Sequence, residues 1–209
     1  MAFRDYRKYP AADLKKFFQI EIEKAANLFE DFTPSGHEYP ELQQAVTNMS
    51  VRLRLSRYDN EATRGSLLVS RILWAAGELY ELGVFFEPTV TYPHDDAERF
   101  PHSLNGLYDG ALSLDEIDLL APVISVVEVK RSSLSDGLGQ CIAEMFTTLH
   151  VFEQEKVYGI ITDGELWEFL LLENNIISVD THNYHIRSVS DIVERIGYIA
   201  NSFKSEKPV

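Results

Sequence analysis

The stretch VISVVEVKR, residues 123–131, limits the fold more than any other part of the chain. With side chains alternating between faces, Ile124, Val126, Glu128 and Lys130 share one side, and Val123, Ser125, Val127 and Val129 share the other. Both sides are apolar as far as Glu128, which predicts a strand in the middle of a sheet covered on both faces. An unpaired carboxylate or ammonium there would cost on the order of several kcal/mol. Something at the C-terminal end of this strand therefore compensates Glu128 and Lys130. A Glu–Lys ion pair at the rim is one explanation; a functional site is the other.

The neighbouring segments complete a βαβ crossover. About twenty residues after this strand carry Leu138, Ile142, Met145, Leu149 and Phe152 at helical spacing, and KVYGIITDG (156–164) reads as the next strand. Strand, helix, strand implies parallel pairing. Upstream, residues 60–82 form a helix with Leu68, Ile72, Ala75, Leu79 and Leu82 on one stripe and Val69, Leu73, Ala76 and Tyr80 beside it. VFFEPTVTYP and GLYDGALSL (106–114) read as one strand each, HDDAERFPHSLN as a polar loop, ELWEFLLLE and NIISVDT as a closing pair, and residues 188–203 as a last helix. Residues 10–31 read as an amphipathic helix, broken by TPSGHEYP. The expected organisation is thus an α/β core over residues 46–209, a mixed central β-sheet flanked by helices, with an N-terminal helical extension over 1–45.

Nineteen basic against thirty-three acidic residues give a formal charge of −14, which argues against a surface that holds polyanions by charge alone. Any contact with nucleic acid would be local, metal-assisted or helped by a partner protein. The single cysteine, Cys141, makes no internal disulfide and reads as a small buried residue. No run of about eighteen apolar residues marks a membrane span, and MAFRDYRKYP lacks the apolar stretch of a signal peptide, so a cytoplasmic location is expected. No Gly-x-x-x-x-Gly-Lys-Ser/Thr phosphate loop exists, which excludes an ATP-driven motor within this sequence.

LYDGAL sets Asp109 among apolar strand residues, where aspartate is disfavoured; an Asp-Gly hairpin turn is the bland alternative. One aspartate, followed nineteen residues later by Glu-x-Lys, is the chemistry of a two-carboxylate metal site with an adjacent lysine. Two hard oxygen ligands hold Mg²⁺ or Mn²⁺ and leave positions for water and a phosphate oxygen. Lys130 would orient that water or stabilise charge developing at phosphorus.

YDGAL at 108–112 and EVK at 128–130 resemble the two motif strands of the PD-(D/E)XK nuclease superfamily, with Tyr108 where the family has proline. NEATRGSLLVSRIL (60–73), FFEPTV (85–90), EVK followed by Gln140, and YGIITDGELWEFLLL (158–172) are similar, in that order, to the N-terminal nuclease region of type I restriction-enzyme motor subunits and related stand-alone proteins. The resemblance covers residues 60 to about 170 and implies a restriction-endonuclease-like core that hydrolyses phosphodiester bonds, with DNA as the expected substrate and Mg²⁺ or Mn²⁺ as cofactor. It implies a helical Glu completing the acidic cluster, and Glu61 matches; helical phase also extends the buried stripe to Glu61, with Glu78 as the fallback. Favourable helix-start electrostatics is the alternative account of Glu61. Gln140 matches the glutamine of the family's Q-x-x-x-Y motif, but the fifth position is Glu144, and the helical wheel also allows Gln140 as a solvated residue.

Arg52, Arg54 and Arg57, with Arg64 and Arg131, are the expected phosphate contacts, although RLRL also fits an edge strand and Arg64 also fits an intrahelical pair with Glu61. His182 and His185 in THNYH, and His94 with Asp95 and Asp96, read as surface loops rather than metal ligands. Two competing classes remain: a nuclease-fold binding or regulatory protein without turnover, and an unrelated α/β interaction domain whose Glu128 and Lys130 form a rim ion pair. Cutting both strands of a duplex would call for a homodimer.

Overall fold

The computed structural model of the protein describes residues 2–94, 96, 98–131 and 133–205. Its helices are α1 (Ala2–Asp5), α2 (Ala11–Phe18), α3 (Pro40–Arg54), α4 (Glu61–Arg64), α5 (Ser70–Tyr80), α6 (Leu138–Val151) and α7 (Val189–Lys204). Its strands are β1 (Glu21–Ala26), β2 (Gly83–Phe86), β3 (Thr89–Tyr92), β4 (Leu104–Leu107), β5 (Gly110–Ser113), β6 (Val123–Val129), β7 (Lys156–Thr162), β8 (Leu166–Glu173) and β9 (Ile176–His185). Seven strands form one mixed sheet in the order β1-β9-β8-β7-β6-β5-β2, and β3 and β4 form a separate ribbon. The expected α/β class, a mixed sheet flanked by helices, holds. Among the described residues no helix is long and apolar enough to cross a membrane.

β6 occupies the position its composition demands: every residue from Val123 to Val129 is buried, and it pairs antiparallel with β5 and parallel with β7 across α6. One detail of the alternation differs. β5 pairs Leu112 with Ser125 and Ser113 with Val123, so Ile124 is the extra residue of a bulge. A bulge flips the phase of what precedes it: Ile124 packs with Val127 and Val129 on one side of the sheet, while Val126 packs on the other.

The chain's first forty residues depart most from expectation. The helix expected over 10–31 ends at Phe18, because Gln19 turns left-handed (φ 52°), and Glu21–Ala26 then pair in parallel with β9 as an edge strand. The period-two run Ile20-Glu21-Ile22-Glu23 was the signal for this, overridden by the helical spacing of Leu14, Phe17 and Phe18. Phe3, Tyr6, Leu14, Phe18 and Ile20 are all buried in the same apolar cluster as α6. Residues of the proposed extension thus contribute to the sheet and to the core.

Other elements differ as well. α3 takes in Arg52 and Arg54, which excludes an edge strand there. The helix over 60–82 is interrupted by a π-helical segment, Gly65–Val69, and its buried stripe ends at Ala76 and Gly77, leaving Leu79 49% exposed. The two long strands expected at 84–93 and 106–114 are each split, because the chain leaves the main sheet at Glu87 (φ 53°) and Pro88 to form the ribbon, then re-enters it at Gly110. His182 and His185 lie on β9 rather than in a loop, and Asp95 falls outside the described residues.

Candidate active site

Asp109 sits at the joint where the chain passes from the ribbon strand β4 into β5. It is neither inside a strand nor in a hairpin turn, and its side chain is open to solvent rather than buried. Its Oδ2 accepts a 2.7 Å hydrogen bond from the Val129 backbone N–H, which ties it to the end of β6. Protein packed around the rest of the group still raises the Asp109 carboxyl; the Val129 bond and Lys130 oppose this, while Glu61 and Glu87 add to it.

Glu128 and Lys130 are 1% and 6% exposed, so their pair is not at a rim. The Lys130 ammonium donates to Glu128 Oε1 and, at 3.3 Å, to Gln140 Oε1. Burial, with the Asp109 charge second, pushes the Glu128 carboxyl up to about 8, despite Lys130. The other Glu128 oxygen, Oε2, is buried with no hydrogen-bond donor.

Gln140 is buried, not solvated, because α6 is covered on its outer side by α1, α2 and the short turn Tyr6–Lys8. Its Nε2 donates at 3.0 Å to Glu144 Oε1. Glu144 is fully buried beside Glu128, and its own Oε2 also lacks a donor. Burial, then the Glu128 charge, raises the Glu144 carboxyl well above the ordinary range. Two carboxyl groups this close cannot both be ionised, so they share a proton. The sequence signal for Glu144 is its place at the fifth position of the motif that begins at Gln140, where the pattern has tyrosine.

Glu61, Asp109, Glu128, Lys130 and Gln140 line one cavity of about 150 Å³. Glu61 opens α4, behind Asn60, whose side chain caps the helix by accepting from Thr63 N at 2.9 Å. Glu78 stays apart, exposed and accepting from Trp74 Nε1 at 3.1 Å. Glu87, at the exit from β2, lines the cavity too and was missed, since a Glu before Pro88 reads as an ordinary turn. A second hollow of about 400 Å³ adjoins through Glu61, Glu87 and Asp109, floored by Val69, Leu73 and Val127.

The expected basic residues divide. Arg54 pairs with Glu165 at 2.8 Å, and Arg64 pairs with Asp59 at 2.6 Å and donates to the Asp163 carbonyl at 2.8 Å, so both are structural and Arg64 does not pair with Glu61. Arg52 and Arg57 are exposed but do not line the cavity. Arg131 borders a neighbouring pocket with Arg7, Lys8 and Lys130. Cys141 is wholly buried, and burial pushes its thiol up, which suits packing rather than nucleophilic chemistry.

No family model and no curated protein matches the sequence. Among solved structures, the cryo-EM structure of the DrdV–DNA complex is similar over 78% of this chain at 14% identity, with a TM-score of 0.46. The matched region is 14% of that much longer chain.

Proposed function

We propose that the protein is a metal-dependent nuclease that hydrolyses phosphodiester bonds, with DNA as substrate. The observation that carries this reading is the charge content of one small cavity: Glu61, Glu87, Asp109 and Glu128 share it with Lys130 and Arg4. A pocket with that excess of carboxylates repels a phosphodiester unless a cation joins them.

Among the described residues, no three His, Cys, Asp or Glu side chains are grouped closely enough to form a ready cage. The donor set nevertheless fits Mg²⁺ or Mn²⁺, which bind through one or two carboxylates and keep several waters. Asp109 and Glu128 would hold the ion, with Glu61 closing in from the first turn of α4. When bound, it would supply Lewis-acid polarisation of the phosphoryl oxygen and acidify a water.

The chain's own groups do the rest. The Val129 N–H fixes Asp109, leaving Oδ1 for a ligand. An ammonium has three N–H donors, and Lys130 spends two on Glu128 and Gln140. The third is left for a phosphate oxygen or an attacking water, where it offsets charge developing at phosphorus. Gln140 holds Lys130 on one side and Glu144 on the other, setting the direction of that third N–H.

Cleavage of plasmid, single-stranded DNA and RNA with Mn²⁺ or Mg²⁺, compared between the native chain and Asp109→Ala, tests this. Loss of cleavage in the variant is expected; cleavage unchanged by Asp109→Ala would refute the site. The lack of a ready cage among the described residues favours a second reading, a nuclease-fold protein that binds without turnover, and binding with no metal-dependent cleavage would establish it.

A further inference from the structure

Four cations at the mouth of the site stand out in a chain with a formal charge of −14. Arg4 lines the central cavity, and Arg7, Lys8 and Arg131 line a pocket of about 240 Å³ beside it. The two pockets share Glu61 and Lys130, so they are neighbouring compartments of one trough. All four side chains are exposed, and among the described residues none of them forms an ion pair. Arg54 and Arg64, by contrast, would have to give up carboxylates to bind an anion.

The segment bearing three of them is built into the fold. Phe3 and Tyr6 point inward, 1% and 0% exposed, and leave Arg4, Arg7 and Lys8 outward. The Phe3 ring packs 5.6 Å from that of Tyr108, and the Tyr6 hydroxyl donates to the His102 carbonyl at 2.6 Å. Two glycines admit it: a Cβ on Gly139 would lie 2.3 Å from the Tyr6 carbonyl oxygen, and one on Gly106, itself at φ +151°, 2.9 Å from the Phe3 ring. The backbone that carries these cations is fixed in this way, so no segment has to be ordered on binding.

We propose that Arg4, Arg7 and Lys8 of this amino-terminal segment, with Arg131 at the end of β6, form the phosphate-binding wall that receives a nucleic-acid backbone on either side of the scissile position. The inference rests on the nuclease reading for its ligand. The cations are divided between two neighbouring pockets, which suits a ligand that carries more than one phosphate. The acidic groups that share these pockets, Glu61, Glu87, Asp109, Glu128 and Asp136, keep the wall selective for a ligand that brings several phosphates at once.

The test is metal-free binding of fluorescein-labelled duplex DNA, single-stranded DNA and RNA by the full chain, in chelator, across a salt series. Arg7→Ala with Arg131→Ala is expected to weaken binding at least tenfold. It should also make the plot of log affinity against log salt shallower, by about 0.9 per lost phosphate contact on duplex or about 0.7 on a single strand. Arg7→Lys with Arg131→Lys should restore the slope, and Arg71→Ala, an exposed residue of α5 that lines neither pocket, should leave it unchanged. An unchanged slope in the double alanine variant overturns the wall, as does an equal loss with Arg71→Ala, or no binding by the native chain at about 100 µM in low salt, the weak end of non-specific affinity. Failure of the nuclease reading shows elsewhere, in cleavage that survives Asp109→Ala, so the two failures are distinguishable.

Discussion

Replacing Glu144 by glutamine should stabilise the metal-free protein. In the native chain, Oε2 of Glu128 and Oε2 of Glu144 are buried with no donor from a third group, and the pair retains between them a proton that neither would hold in the unfolded chain. The sign follows from the direction of the shifts. Both carboxyls are raised, so their full contribution to stability is present below pH 4.5, the ordinary Glu value, and is lost as pH rises toward the folded value. Across that window, each proton held only by the folded state costs about 1.4 kcal/mol per pH unit. In Glu144→Gln, the amide oxygen takes over the bond from Gln140 and the amide N–H donates to Glu128. The amide N–H takes the place of the shared proton, so the bond to Glu128 is kept without proton uptake: the variant gains about 1.4 kcal/mol for each pH unit above the ordinary Glu value, up to the folded value, and the stability–pH curve flattens by up to one proton. In a chain of this size each kcal/mol moves the midpoint by about 2–4 °C. Urea denaturation in chelator at pH 5, 6, 7 and 8 reads both effects. A variant less stable than native at pH 7, with the native pH slope retained, would refute the shared proton.

Metal binding should itself be visible as stability. Mg²⁺ or Mn²⁺ is expected to raise the melting temperature of the native chain in proportion to the logarithm of its concentration, and to do little for Asp109→Ala. Arg64→Ala removes a side chain 13% exposed that joins Asp59 to the Asp163 carbonyl, and should cost about 1–3 kcal/mol in urea denaturation while leaving the salt dependence of nucleic-acid binding intact. Gly139→Ala forces the Tyr6 backbone off α6 and should cost about 1–3 kcal/mol; nucleic-acid affinity should fall with it, measured by the same anisotropy assay.

The centre of the fold was legible because β6 and α6 carry strong period-two and helical patterns whose meaning does not depend on distant partners. Glu128 and Lys130 stood out for the same reason: charges at the end of a strand apolar on both sides have few explanations. Asp109 was found through an argument only half right, since it lies between two strands rather than within one. The break at Glu87 and Pro88 shows why. Whether the chain stays in one sheet or moves to a ribbon depends on which strand lies opposite, and that pairing leaves no local mark. Glu144 and the Arg4–Arg7–Lys8 wall were hidden for a related reason. Their roles arise only when α1 and the turn after it cover α6, more than a hundred residues away, and turn what reads as a solvated helix face into an interior.

The pairing of β1 with β9 bears on how the molecule is made. Glu21 lies opposite Ile176, so the outermost strand of the sheet is drawn from the beginning of the chain and laid against a strand near its other end. Contacts so distant in sequence form late and slowly. During synthesis, β1 must wait while nearly all of the remaining sheet emerges, and until it docks, β9 presents an open row of backbone donors and acceptors. Once in place, a strand bearing Glu21, Glu23 and Lys24 makes that edge charged and unattractive to a second sheet. The stage most exposed to aggregation is therefore the interval after β9 folds and before β1 arrives, and cooling or slowed translation should change the soluble yield more than changes to the core would.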